Sequence, residues 1–184
     1  MGKVVAGMTT SLDGFVADER GSVARLYPDL EALHGTPYMD GMIARTGAVI
    51  MGRRAFEMAD DPDWYVGNYE FQVPIFVLTH HAPAKMPRQD DRLRFTFVTD
   101  GVASAVAQAK KAAGNKDVQV IGGASAVQQV LEAGLADEFN VDVMPVFLGA
   151  GLALATKGLE SIRLEKVSVQ EIGQRTSHVF RVVA

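Results

Sequence analysis

Val118-Gln-Val-Ile121-Gly122-Gly123-Ala124-Ser125 joins a short apolar run to a glycine pair and then to residues suited to a helix. The spacing predicts a buried strand ending at Ile121 and a helix from Ala124 to Ala133, closed by Gly134. A helix N-terminus presents unpaired N–H groups and a partial positive charge, and so attracts anions. Glycines at that point let the backbone approach a pyrophosphate with no Cβ in the way. They also suit a tight strand-to-helix turn that binds nothing, and on this stretch alone the two readings stand level.

Working outward, Ala48-Val-Ile-Met51-Gly52-Arg53-Arg54-Ala-Phe56-Glu57 repeats the pattern, with arginines in the first helical turn. The helix dipole disfavours cations at that end. A guanidinium that must grip a phosphate is one reason to tolerate the cost. Two such turns in one chain strengthen the ligand-binding reading of each.

The other segments alternate in kind, as in an α/β sheet covered by helices. Lys3 to Met8 is predicted to be the first strand, followed by a polar loop from Thr9 to Ala17. Residues 27–46 are predicted to be helical in part, interrupted at Gly35, Pro37 and Gly41. Pro74–Leu78, Leu93–Val98 and Asp137–Met144 are further predicted strands. Asp100 is the expected N-cap of a helix carrying Val102, Ala105, Val106 and Ala109 and ending at Gly114. Arg163–Ile172 and Thr176–Val183 are expected to close the chain as an antiparallel hairpin around Gly173. No repeat or linker divides the chain, so one domain over residues 1–184 is expected.

The 184 residues carry a formal net charge of −4, which argues against nucleic acid as the main partner. The cations Arg53, Arg54, His80, His81, Lys85 and Arg88 fall close together in sequence, and on charge alone this is a solvated surface. There is no cysteine, which removes disulfides, thiolate metal sites and cysteine nucleophiles. His34, His80, His81 and His178 lack acidic partners at ligand spacing, so no metal is expected. No signal-peptide pattern opens the chain, and its longest apolar stretch, Val143 to Ala155, is too short to span a bilayer. A soluble, cytoplasmic protein without membrane partners is expected.

Val49-Ile-Met-Gly52-Arg53 with Phe56-Glu57, then Val120-Ile-Gly122-Gly123, then Ser177-His178, resemble the dihydrofolate reductase superfamily. Within it, Thr10-Ser-Leu12-Asp13-Gly14-Phe-Val-Ala17 and Met144-Pro-Val-Phe-Leu148-Gly149-Ala-Gly151 resemble the RibD C-terminal family, the reductase domain of riboflavin biosynthesis. The resemblance implies a three-layer αβα fold with a mixed, mostly parallel central sheet, and NADPH as hydride donor. It implies that Gly122, Gly123, Ala124 and Ser125 contact the pyrophosphate, with Gly52, Arg53 and Arg54 holding phosphates from the opposite side. Thr79 and His80 match the position that receives the adenosine 2′-phosphate, and Thr9 and Thr10 would lie beside the nicotinamide. A cis peptide between the paired glycines and a homodimer are further family traits.

The implied activity is hydride transfer to a pteridine- or pyrimidine-like heterocycle, with 5-amino-6-(5-phosphoribosylamino)uracil, the riboflavin-pathway compound, as one substrate. Asp29, Glu31 and Asp40 do not match the acidic residue that dihydrofolate reductases carry on the helix after the first loop. No second cationic grip for a substrate phosphate stands out either. Asp13 is the proton donor that the motif suggests, a role needing a carboxyl pKa raised by burial. Leu-Asp-Gly is also ordinary turn composition. Phe15, Tyr38, Trp64, Tyr65 and Tyr69 are candidates to line a pocket for a flat ring, or ordinary packing residues. The alternative function is a non-catalytic dinucleotide-binding or regulatory module.

Overall fold

The computed structural model describes residues 2–155 and 158–183. In chain order its strands are β1 (Val4–Ser11), β2 (Phe15–Ala17), β3 (Thr46–Gly52), β4 (Ile75–Leu78), β5 (Phe95–Val98), β6 (Asp117–Ile121), β7 (Glu138–Met144), β8 (Leu152–Ala153), β9 (Arg163–Ile172) and β10 (Arg175–Val183). All but β2 and β8 form one sheet, ordered β5-β4-β3-β6-β1-β7-β10-β9. Pairing is parallel from β5 through β7 and antiparallel for β7–β10 and β10–β9. Such parallel pairs need crossover connections, which helices supply except between β4 and β5, where residues 79–94 cross over without helix or strand.

The helices are α1 (Leu30–Leu33), α2 (Pro37–Arg45), α3 (Arg53–Phe56), α4 (Tyr65–Asn68), α5 (Val102–Ala113) and α6 (Ala124–Glu132). Strand side chains alternate between the two faces of the sheet. On one face Val4, Ala6, Ile50, Val118 and Val120 pack against Ala105, Val106 and Ala109 of α5 and Ala126, Val127 and Val130 of α6. On the other, Val49, Met51, Ile75 and Val77 pack under Phe56, Tyr65, Phe71 and Phe95. Ile50 and Ile75 are fully buried, and each such side chain contributes about 1.5–3 kcal/mol.

Several boundaries differ from expectation for physical reasons. β1 continues to Ser11, because Thr9, Thr10 and Ser11 pair in register with Asp142, Val143 and Met144 of β7. Their polar side chains disguised a buried strand as a loop. Pro37 starts α2 rather than interrupting a helix: it stands in the first turn, where its missing N–H costs nothing, and Thr36 accepts from the Met39 amide at 3.3 Å. α5 begins one residue later than predicted, with Gly101 and not Asp100 at its N-cap and no side chain capping it. The ribbon of β2 with β8 was too short to leave a pattern in the sequence. All peptide bonds among the described residues are trans, including the one between Gly122 and Gly123, where the resemblance implied cis.

Candidate active site

Because β4, β3, β6 and β1 are parallel neighbours, their carboxyl ends open along one edge of the sheet. In that order the edge carries Thr79 and His80, then Gly52 to Arg54, then Gly122 to Ser125, then Thr9 and Thr10. At about 4.8 Å per strand, the row spans roughly 14 Å. Clefts at the carboxyl ends of such strands are where α/β sheets bind ligands.

The two glycine turns touch each other. The Gly52 amide donates to the Gly122 carbonyl at 3.2 Å. Gly122 and Gly123 have φ of 83° and 82°, values that L side chains rarely adopt. A Cβ on Gly122 would come within 2.7 Å of the Ala55 Cβ. No side chain caps the first turn of α6, and both glycines are half-buried rather than sealed. Ala124 is buried against the core and Ser125 is exposed, its hydroxyl accepting from Gln129 Nε2 at 3.0 Å. Arg53 and Arg54 are exposed, Arg53 meeting Glu57 at 3.4 Å. Thr79 Oγ1 donates to the His81 carbonyl at 2.8 Å, and His80 beside it is exposed.

Next to this edge, on the aromatic face of the sheet, lies a cavity of about 210 Å³. Its floor is Gly7, Thr9, Gln119, Ile121, Asn140 and Asp142; its walls are Leu30 and Leu33 of α1, Tyr38, Met39 and Met42 of α2, and Tyr69, Glu70 and Phe71. Gly7 makes the depth: a Cβ there would meet nothing within 4 Å. One end is closed by Arg175, only 2% exposed, which donates to Asp29 through Nη2 at 2.6 Å and Nε at 3.1 Å, and to Asp142 through Nη1 at 3.0 Å. Burial opposes the arginine's charge, but Asp29 and Asp142 outweigh it and hold its pKa above the ordinary value. Tyr38 donates to Asp142 at 3.0 Å; burial, then the charge of Asp142, pushes its pKa up to about 12. Burial raises the pKa values of Tyr27 and Tyr69 as well.

Of the aromatic candidates, the cavity takes in Tyr38 and Tyr69 but not Phe15, Trp64 or Tyr65. Tyr65 is buried in the core, stacked on Phe56, with its hydroxyl donating to the Phe56 carbonyl at 3.1 Å. Trp64 ends a 3-10 turn at the surface, and Phe15 belongs to the ribbon. The residues that sequence reading missed are Gly7, Tyr27, Gln119, Asn140, Asp142 and Arg175. A faint signal existed: Gln119 interrupts an apolar strand, and Asn140 and Asp142 alternate on one face of another.

Asp13 is exposed and accepts from the Leu148 and Gly149 amides at 3.1 and 2.7 Å. The Ser11 hydroxyl and those two amides lower its pKa from 3.8 to about 2, opposite to the raised value a proton donor requires. Leu12 N to Val146 O at 2.8 Å and Leu154 N to Gly14 O at 2.9 Å complete the junction between these two segments. Gly151 lies so close that a Cβ would fall 2.1 Å from the Ala17 carbonyl. Because the folded-state pKa is depressed, this stabilisation is complete above the unfolded pKa and is lost as pH falls toward about 2. Asp13→Asn is therefore expected to lower Tm at neutral pH, with the gap to the parent closing between about pH 4 and 2. Thermal melts across that range check it; a gap independent of pH would contradict the ionised cap.

The family model for the RibD C-terminal domain matches residues 2–177. The chain belongs to the RibD C-terminal domain family. Among its relatives, the Bacillus subtilis (strain 168) protein YwjB is 26% identical over 175 residues, covering 94% of this chain and 93% of that protein. A Shewanella sp. PV-4 structure, provisionally named for riboflavin biosynthesis, superposes with a TM-score of 0.79 at 20% identity over 99% of both chains. Dihydrofolate reductase from Enterococcus faecalis, complexed with NADP(H), gives 0.64 at 16% identity over 98% of this chain and 96% of that one. The fold of this RibD C-terminal domain is thus dihydrofolate-reductase-like, as the resemblance implied. Among the described residues no helix is long and apolar enough to cross a membrane.

Proposed function

We propose that the chain is an NADPH-dependent reductase that delivers hydride to a pteridine- or pyrimidine-like ring held over Gly7. The observation supporting this reading is the contact between the Gly52 and Gly122-Gly123 turns, which brings the uncapped first turn of α6 beside the arginine-bearing first turn of α3, on the sheet edge where Thr9 and Ile121 also line the cavity. The residues fit a dinucleotide: uncapped first-turn amides of α6, no Cβ at either glycine, and unburied arginines next to them. When bound, the cofactor supplies the hydride.

In this reading Gly122 to Ser125 take the pyrophosphate, and Gly52, Arg53 and Arg54 take phosphates from the other side. Thr79 and His80 face the adenosine 2′-phosphate, and Thr9 and Thr10 lie beside the nicotinamide. The chain's own residues orient the ring over Gly7 and exclude water from it, which is how a positioning site lowers a barrier. Asp13 serves the loop junction, and the proton comes from water. Residues 1–184 act as one domain in the cytoplasm. Leu164, Val167 and Val169, exposed on the outer strand β9, support the homodimer.

If either guanidinium also reaches the adenosine 2′-phosphate, Arg53→Ala or Arg54→Ala is expected to weaken NADPH about tenfold while changing NADH little, since a guanidinium–phosphate pair is worth roughly 1.5–3 kcal/mol. A grip on the pyrophosphate alone weakens both nucleotides alike. Titrating both nucleotides against the Trp64 fluorescence measures this. An unchanged preference in both variants removes the arginines from the 2′-phosphate. NADPH binding without oxidation by any heterocycle would favour the non-catalytic module instead.

A further inference from the structure

Resting on the reductase reading and deepening it, we propose that the cavity over Gly7 selects a phosphate-free heterocycle with a lactam edge. The amide nitrogen of Gln119 donates to a ring carbonyl, the amide oxygen of Asn140 accepts from a ring N–H, and the carboxylates of Asp142 and Glu70 keep phosphate out.

The floor supplies the first argument. Gln119 is 2% exposed, and its Nε2 has no hydrogen-bond partner; Asn140 Oδ1 is buried and equally unpaired. A buried donor or acceptor left unpaired is costly, so such groups in a cavity wall await a ligand. Their strands flank β1, where Val5 is in register with Gln119 and Gly7 with Asn140. The acceptor therefore stands beside Gly7, the one position of β1 that has no side chain, and the donor stands across β1 from it, two residues back, level with Val5. A flat ring lying over Gly7 fills that gap and presents an edge to each amide. A carbonyl and an N–H in one ring are what a lactam provides.

Charge supplies the second argument. Arg175 is the cation in the cavity lining among the described residues, and Asp29 and Asp142 already engage it. Glu70 adds another carboxylate to the wall. A phosphate monoester carries roughly −1.5 to −2 at neutral pH. Here it would find carboxylates and no unengaged cation, whereas an uncharged ring meets no such repulsion. A phosphoribosyl compound is thus the wrong substrate class for this cavity.

Isothermal titration calorimetry with the whole chain, with and without NADPH, tests the proposal on four probes. Uracil is expected to bind at least about tenfold more tightly than 1,3-dimethyluracil, which has lost its N–H groups. Uridine is expected to exceed uridine 5′-monophosphate by about tenfold, with the gap narrowing in Glu70→Gln and at high salt. Gln119→Leu should erase the preference for uracil over its dimethyl analogue. Should that variant not fold, the probe pairs on the parent protein decide alone. Uridine 5′-monophosphate binding as tightly as uridine, or dimethyluracil binding as tightly as uracil, would overturn the proposal. Failure of NADPH to bind while the probe preferences hold would instead sink the reductase reading and leave the cavity's selectivity standing.

Discussion

Arg175→Met is expected to destabilise the fold by about 3–5 kcal/mol, the usual cost of removing one partner from a buried ion pair. For a chain of this length that is a fall in Tm of about 10 °C. The reason lies in what is left behind. Asp29 and Asp142 both lean on the guanidinium, at 2.6 and 3.0 Å, and without it a buried carboxylate and a half-buried one lose their shared counter-charge. The same contact ties the N-terminus of α1 to β7, so the cavity wall should loosen with it. Replacing all three together, Asp29→Leu, Arg175→Met and Asp142→Leu, is expected to recover much of the loss, because apolar packing needs no counter-charge. Thermal and urea denaturation of the single and triple variants provide the check. A single-variant loss below about 1 kcal/mol would show that solvent reaches the pair and screens it.

Gly122→Ala is expected to raise the NADPH dissociation constant at least about tenfold, with a far-UV spectrum close to the parent's. Two costs coincide at this residue. A φ of 83° places an L side chain in the left-handed region, at roughly 1–2 kcal/mol. The new methyl would also overlap the Ala55 Cβ at 2.7 Å, pushing α3 and its arginines away from α6. A second substitution, Ala55→Gly, removes the overlap but not the backbone strain, so the double variant should regain part of the affinity and not all of it. Equal NADPH affinity in Gly122→Ala and the parent would mean that the cofactor lies elsewhere.

Much of the fold was legible because it is written in local pattern. Val118 to Ile121 and Ala48 to Met51 are apolar runs cut by glycine, and each is a strand ending where a helix starts. Both glycine turns were readable as strand-to-helix turns from backbone freedom alone, since glycine's access to positive φ needs no distant partner. The polar end of β1 was not legible. Thr9, Thr10 and Ser11 are strand only because β7 lies alongside them, and their partners Asp142, Val143 and Met144 are far away in sequence. Asp13 shows the same limit: its turn was visible, but the Leu148 and Gly149 amides that keep it ionised lie 135 and 136 residues away.

The sequence by itself determined the strand-glycine-helix units, their order, and hence the α/β class and the family. Those features depend on hydrophobic periodicity and backbone freedom, which act between near neighbours. Only the tertiary structure decided that the two turns touch, that Arg175 is shared by Asp29 and Asp142, and that a cavity opens over Gly7. Each of these rests on strand order and on side chains converging from distant segments, and burial makes their charges and unpaired amides matter only once the sheet has closed around them.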